Sequence, residues 1–282
     1  MQQETVPPPL SASEPPVNGA VGRWRWTLHL LLLTAYPVVL GILGTTNRSD
    51  SAPMLPTKVK PLLYALSLDF VVFAAVFVLA LFASRARAEA LFLKWRGRLQ
   101  PISRGFFYAL GLRFALFIVM FALAAAAYVA SGGHGGLAEQ LRPETEQVVD
   151  AQALVRSPGY LLVNLTLVSF LFAGFREELW RAGMLAGFNA LLPGGLSRYV
   201  NRWLAVGFSA IAFGLGHMPQ GWGGVLMTGA LGVGLGLIML HHQSIWEAVM
   251  AHGFFNATTF LMLYGMVKFR PEWIQSAFPL CR

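Results

Sequence analysis

Apolar stretches long enough to cross a bilayer recur along this chain, and they constrain its fold more than any other feature. They lie near 26–46, 62–83, 105–131 and 157–175, the last running on towards 192, and again near 203–217, 222–240 and 245–267. A helix needs about 20 apolar residues to cross the hydrocarbon core. Backbone groups in lipid must be satisfied within the segment, which favours helices. The chain is 56% hydrophobic and 12% charged, where soluble domains carry roughly 25% charged residues. A soluble fold is thereby excluded. The expected architecture is all-α, a polytopic transmembrane helix bundle of about seven to eight spans. The count hinges on residues 157–192, which exceed one straight crossing and form either one long broken helix or two elements.

The net charge of +8 resembles a nucleic-acid signal until its location is considered. Arg85, Arg87, Lys94, Arg96, Arg98 and Arg104 fall in one connector between two spans. The positive-inside rule produces that pattern in a cytoplasmic loop, so no nucleic-acid partner is expected. Arg23 and Arg25 before the first span put the N-terminus on the same side. The 132–156 connector, with Glu139, Glu144, Glu146 and Asp150 against Arg142 and Arg156, falls on the other. The expected location is a bacterial inner membrane, with membrane lipid as the surrounding partner.

Residues 1–22 contain Pro7, Pro8, Pro9, Pro15 and Pro16 without an apolar run and read as a disordered tail. Residues 23–156 then form N-terminal helices around the basic 84–104 loop, 157–267 a core that carries the chemistry, and 268–282 a short tail. The single cysteine, Cys281, permits no intramolecular disulfide. Connectors carry breakers at Pro53 and Pro56, Gly132 and Gly133, and Pro193 to Gly195. Gly183 and Gly187, or Gly232 and Gly236, have the four-residue spacing that lets helices approach closely in lipid.

Ionisable groups in hydrocarbon cost several kcal/mol unless paired or wetted, so they mark candidate sites. His29, Asp69 and Arg113 are isolated in sequence and are assigned structural roles. Arg113 is expected to snorkel, and Asp69 to pair with it or to cap a helix. The C-terminal half differs. In Phe175-Arg-Glu-Glu-Leu-Trp-Arg181, Glu177 and Glu178 stand four and three residues before Arg181, so either carboxylate can meet the guanidinium. The other is left as a general base. Phe213 and His217 close one apolar stretch, and His252 and Asn256 share a helix face in the last. Two neutral histidines and a glutamate can hold and deprotonate a water, and His217 and His252 are also acceptable ligands for a divalent metal such as zinc. His241 and His242 suit an interface, and Glu247 the N-terminus of a helix.

These three groups resemble the type II CAAX prenyl protease and bacteriocin-processing (CPBP) family, also called the Abi family of intramembrane metalloproteases. Its marks are a double glutamate with a downstream arginine, a phenylalanine four before a histidine, and a histidine four before an asparagine. Here Arg181 follows Glu178 by three, one less than the family spacing. Anchoring on the glutamate pair makes Glu177 the base, with Glu178 second, whereas anchoring on Arg181 puts Arg176 in the base position. The resemblance implies hydrolysis of a membrane-associated, prenylated or leader peptide in a cavity open to membrane and cytoplasm. Glu177 would deprotonate water held by His217, and His252 and Asn256 would stabilise the oxyanion. An inactive scaffold of the same fold is the alternative. A proton-coupled transporter ranks last, because no inverted repeat of broken helices is apparent.

Overall fold

The computed structural model describes residues 22–46, 53–95, 97–133, 136–192 and 197–269. The proline-rich segment up to residue 21, the Pro193 to Gly195 breakers, Cys281 and the tail beyond residue 269 lie outside the described residues. Every regular element among the described residues is helical. In chain order these are α1 (Arg23–Thr46), α2 (Val59–Ser84), α3 (Gln100–Ala130), and the short α4 (Gly136–Gln140) and α5 (Ala151–Arg156). Then follow α6 (Pro158–Val163), α7 (Glu177–Leu191), α8 (Arg198–Leu215), α9 (Gly221–His242) and α10 (Trp246–Phe269).

Four helical stretches among the described residues are long and apolar enough to cross a membrane: Val59–Ser84, Gln100–Ala130, Pro158–Leu191 and Met218–His242. The protein is an integral membrane protein. The expected seven to eight crossings are not confirmed by these four, which are counted over the described residues.

Residues 158–191 settle as one continuous helix, with a π-wound segment at Asn164–Arg176 joining α6 to α7. Ser169 Oγ donates to the Asn164 carbonyl five residues back, 2.7 Å away. Winding i→i+5 places more residues in each turn than α geometry does. That brings a 34-residue stretch closer to a membrane thickness than α winding would. It also re-aims the helix face immediately before Glu177.

Close helix approach depends on small residues, as the glycine spacing predicts. A Cβ on Gly183 would lie 2.7 Å from Leu33 Cδ1, so the missing side chain is what gives the Leu33 methyl group its place between α7 and α1. His29 is buried in the same seam, with Nδ1 2.9 Å from the Ala80 carbonyl and Nε2 3.0 Å from that of Gly183. It ties α1, α2 and α7 together. Arg113 does not snorkel. Its Nη2 donates to the Phe255 carbonyl at 2.6 Å and to the hydroxyls of Thr258 and Thr259 at 2.8 and 2.9 Å, pinning α3 to α10. Helix oxygens solvate the guanidinium there more cheaply than a route to the interface would.

The bundle has two distinct ends. At one, Ile245 N–H donates to the Phe92 carbonyl (2.9 Å) and Trp246 Nε1 to that of Leu93 (3.0 Å). Arg23 and Arg25 donate to the carbonyls of Leu191 and Ala83 at 2.9 and 2.6 Å. At the other, Met54 and Leu55 N–H donate to Gln147 and Val148 (2.8 and 3.0 Å), and Glu144 N–H to Gln220 (3.1 Å). At the first end His242 Nε2 and the Tyr108 hydroxyl are hydrogen-bonded at 2.8 Å. Glu247 is buried there, 3.6 Å from Arg104 and 3.9 Å from His242, which ties it to neighbouring helices.

Candidate active site

A cavity of about 550 Å³ opens among α2, the π-wound segment, α8, α9 and α10. Leu66, Val168, Phe172, Phe260 and Leu263 give it an apolar wall. Glu177, His217, His252 and Asn256 all line it, with Arg176 and Asp69. Four of the five residues singled out in the sequence therefore share one cavity.

Glu178 is the exception. It is 0% exposed and does not line the cavity. Its Oε1 accepts a hydrogen bond from Arg181 Nη1, three residues on along α7. The same oxygen lies 2.8 Å from Nδ1 of His252. A carboxylate paired with a guanidinium can only accept, so His252 donates Nδ1–H and turns Nε2 towards Glu177, 3.8 Å from its Oε2. Arg181, also fully buried, lays its guanidinium over the Phe213 ring, 4.4 Å from the centroid.

Phe213 is the hub of this arrangement. Its ring lies 4.6 Å from that of His217 and 6.0 Å, edge to face, from that of His252. Its carbonyl accepts from His217 Nδ1 at 2.8 Å. A carbonyl can only accept, so His217 carries its proton on Nδ1 and leaves Nε2 as the remaining ring nitrogen. A phenylalanine four residues before the histidine thus fixes both the tautomer and the ring plane.

The two glutamates face different surroundings although they are adjacent. The Glu177 side chain is 18% exposed and belongs to the cavity. Its Oε1 accepts from Arg176 Nη2 at 2.9 Å. Arg176 also pairs with Asp69 of α2, whose other oxygen accepts from the Tyr36 hydroxyl at 2.7 Å. Asp69 therefore reaches neither Arg113 nor a helix end. It anchors the arginine that holds Glu177. Neither Asp69 nor Tyr36 carries a sequence signal for this role, because each stands alone on its own helix.

The shortened spacing between the glutamates and Arg181 does not break the pair. Positions three and four apart lie on one helix face, and the guanidinium reaches Glu178 at i, i+3. Arg176, the alternative occupant of the base position, is spent on Asp69 and Glu177.

His217 and His252 each donate Nδ1–H to a protein oxygen and keep Nε2, the nitrogen a metal would take. Among the described residues no three His, Cys, Asp or Glu side chains gather closely enough to hold an ion.

An all-helical integral membrane protein that gathers carboxylates and imidazoles on one internal cavity falls in the class of membrane proteins with a built polar site. Residues 159–258 match the family model described as type II CAAX prenyl endopeptidase Rce1-like, so about a third of the chain is similar to that family. The matched segment contains Glu177, Glu178, His217, His252 and Asn256. No curated protein and no solved structure matches the chain.

Proposed function

We propose that the protein is an intramembrane endopeptidase that hydrolyses a peptide bond of a membrane-associated segment, with Glu177 as general base. The observation that carries this reading is the division of labour between the paired carboxylates. Glu177 shares the cavity with His217, His252 and Asn256, while Glu178 is sealed behind it against Arg181.

Nε2 of neutral His217 accepts one hydrogen of a water molecule, and the Glu177 carboxylate takes the other. The water oxygen attacks the scissile carbonyl as that proton moves to Glu177. His252, protonated on Nε2, and the Asn256 amide donate to the oxyanion that forms. Glu177 returns its proton to the amide nitrogen, the C–N bond breaks, and the products are a carboxylate and an amine. Glu178 balances the charge of an imidazolium at His252, as a buried carboxylate does for the histidine of a hydrolytic triad. The apolar wall of Leu66, Phe172 and Phe260 suits an apolar segment arriving from the membrane.

The test is cleavage by the purified full-length protein in liposomes containing membrane-anchored peptides. Glu177→Ala and His217→Ala are each expected to abolish turnover while leaving folding and insertion intact. Full activity of both variants on a verified substrate would overturn the assignment.

A further inference from the structure

The candidate cavity and the basic connector occupy opposite ends of the bundle. The connector end joins the start of α1, the end of α2, the end of α7 and the start of α10 around residues 85–95. The far end joins the α1–α2 loop, the segment after α4 and the α8–α9 turn. Walls of the cavity come only from the far part of the molecule. On α2 they run from Ala65 to just past its middle at Phe73, and on α9 from Met227 to Leu231, in its first half. Met54, Thr145 and Gln220 form the upper walls. Among the described residues, none in 22–33, 80–104, 188–203 or 238–250 lines the cavity. Between it and the connector end lie Trp26, His29, Leu33, Ala80 and Leu185, all buried.

Basic residues mark the connector end. It carries Arg23, Arg25 and the six arginines and lysines from Arg85 to Arg104, against Glu89 on the surface. In sequence, the far end has Arg48, Lys58, Lys60, Arg142, Arg156 and Lys268, offset by Glu139, Glu144, Glu146 and Asp150. Connectors flanking spans orient by their excess of Lys and Arg, and this excess sits between α2 and α3, two of the four candidate spans. A cytoplasmic connector end turns the cavity away from the cytoplasm. A cytoplasmic N-terminus and a cavity reached from the cytoplasm, both expected from the sequence, are therefore incompatible in this fold.

We propose that the cavity is loaded from the non-cytoplasmic face, and that its substrate is a membrane-anchored peptide whose scissile bond is presented on that side. The substrate half rests on the peptidase reading. The sidedness does not.

Single cysteines placed in full-length Cys281→Ser protein test the sidedness directly. Met54→Cys and Thr145→Cys report the cavity end, and Arg87→Cys the connector end. Intact spheroplasts are treated with a membrane-impermeant maleimide. Met54→Cys and Thr145→Cys are expected to label at least tenfold more than Arg87→Cys (a ratio of about 1.4 kcal/mol), and Arg87→Cys only after permeabilisation. Labelling in the reverse order, or equal labelling of both ends in intact spheroplasts, overturns the proposal. Sealed vesicles of each orientation then receive an impermeant pool of quenched apolar peptides, and cleavage is expected only in right-side-out vesicles. The expected labelling without cleavage in either orientation would defeat the peptidase reading and the substrate with it, yet leave the sidedness standing. Reversed labelling with cleavage only in inside-out vesicles would defeat the sidedness and leave the peptidase.

Discussion

Nδ1 of His252 lies 2.8 Å from Oε1 of Glu178, in a part of the molecule that admits no solvent to either side chain's shared contact. One carboxylate oxygen thus serves both Arg181 and His252, while its neighbour in sequence faces the cavity. Removing the charge of each glutamate should have separable effects. Glu177→Gln is expected to lower kcat by about 10²–10⁴, the range for loss of a general base. Its melting temperature should stay close to that of the parent, because the side chain is partly exposed and the amide keeps the contact with Arg176. Steady-state cleavage assays and thermal unfolding in detergent check both halves.

Glu178→Gln should instead destabilise. It leaves the Arg181 guanidinium buried without its counter-ion, and breaking a buried pair by one partner costs about 3–5 kcal/mol. Arg181→Met should cost a similar amount for the mirror reason, with the cation–π contact to Phe213 lost as well. The double variant is the informative one. With both charges gone no unpaired ion remains, so its destabilisation should be smaller than the sum of the singles by about 0.5–3 kcal/mol. Strict additivity in a denaturant titration would mean that the two side chains do not act as a pair.

Arg176 and Asp69 should affect turnover through Glu177 rather than through substrate affinity. Arg176 holds Oε1 of Glu177 and is itself anchored by Asp69 and Tyr36. Arg176→Gln frees the carboxylate to rotate within the cavity, and kcat is expected to fall about tenfold, or about 1.4 kcal/mol of transition-state stabilisation. Asp69→Asn should act in the same direction more weakly, since Arg176 keeps its contact with Glu177. KM should change little in either. A rise in KM at constant kcat would assign Arg176 to peptide binding instead.

Much of this was legible in the sequence, for identifiable reasons. Apolar stretches gave helix positions to within a few residues, because lipid leaves the backbone few alternatives. His252 and Asn256, four apart, meet the cavity from one helix face as their spacing requires. The assignment of Glu177 to the cavity and Glu178 to the interior was not legible, because spacing alone lets either carboxylate meet Arg181. The π-wound segment that re-aims this face has no sequence mark. Asp69 and Tyr36 were missed since their contacts with Arg176 join helices far apart in the chain. The position of the cavity along the bundle was hidden for a similar reason: it depends on which parts of α2, α9 and α10 enclose the void.

Gly183 offers a test of how tightly the site's foundation is set. A Cβ there would lie 2.7 Å from Leu33 Cδ1 and 3.1 Å from Phe77 Cε2, and its carbonyl takes the contact from His29 Nε2 at 3.0 Å. Two residues before it, Arg181 holds Glu178. Displacing α7 from α1 at Gly183 should therefore disturb both the seam and the buried pair. Gly183→Ala is expected to cost about 1–3 kcal/mol, the range for overpacking a filled interior. Adding Leu33→Ala removes the clashing methyl group and should recover part of that loss, although Leu33→Ala alone leaves a cavity and destabilises. Opposite signs for Leu33→Ala in the two backgrounds, read by thermal unfolding, would establish the contact. The same sign and size in both would show that α7 relaxes around an alanine and that Gly183 is not needed for the approach.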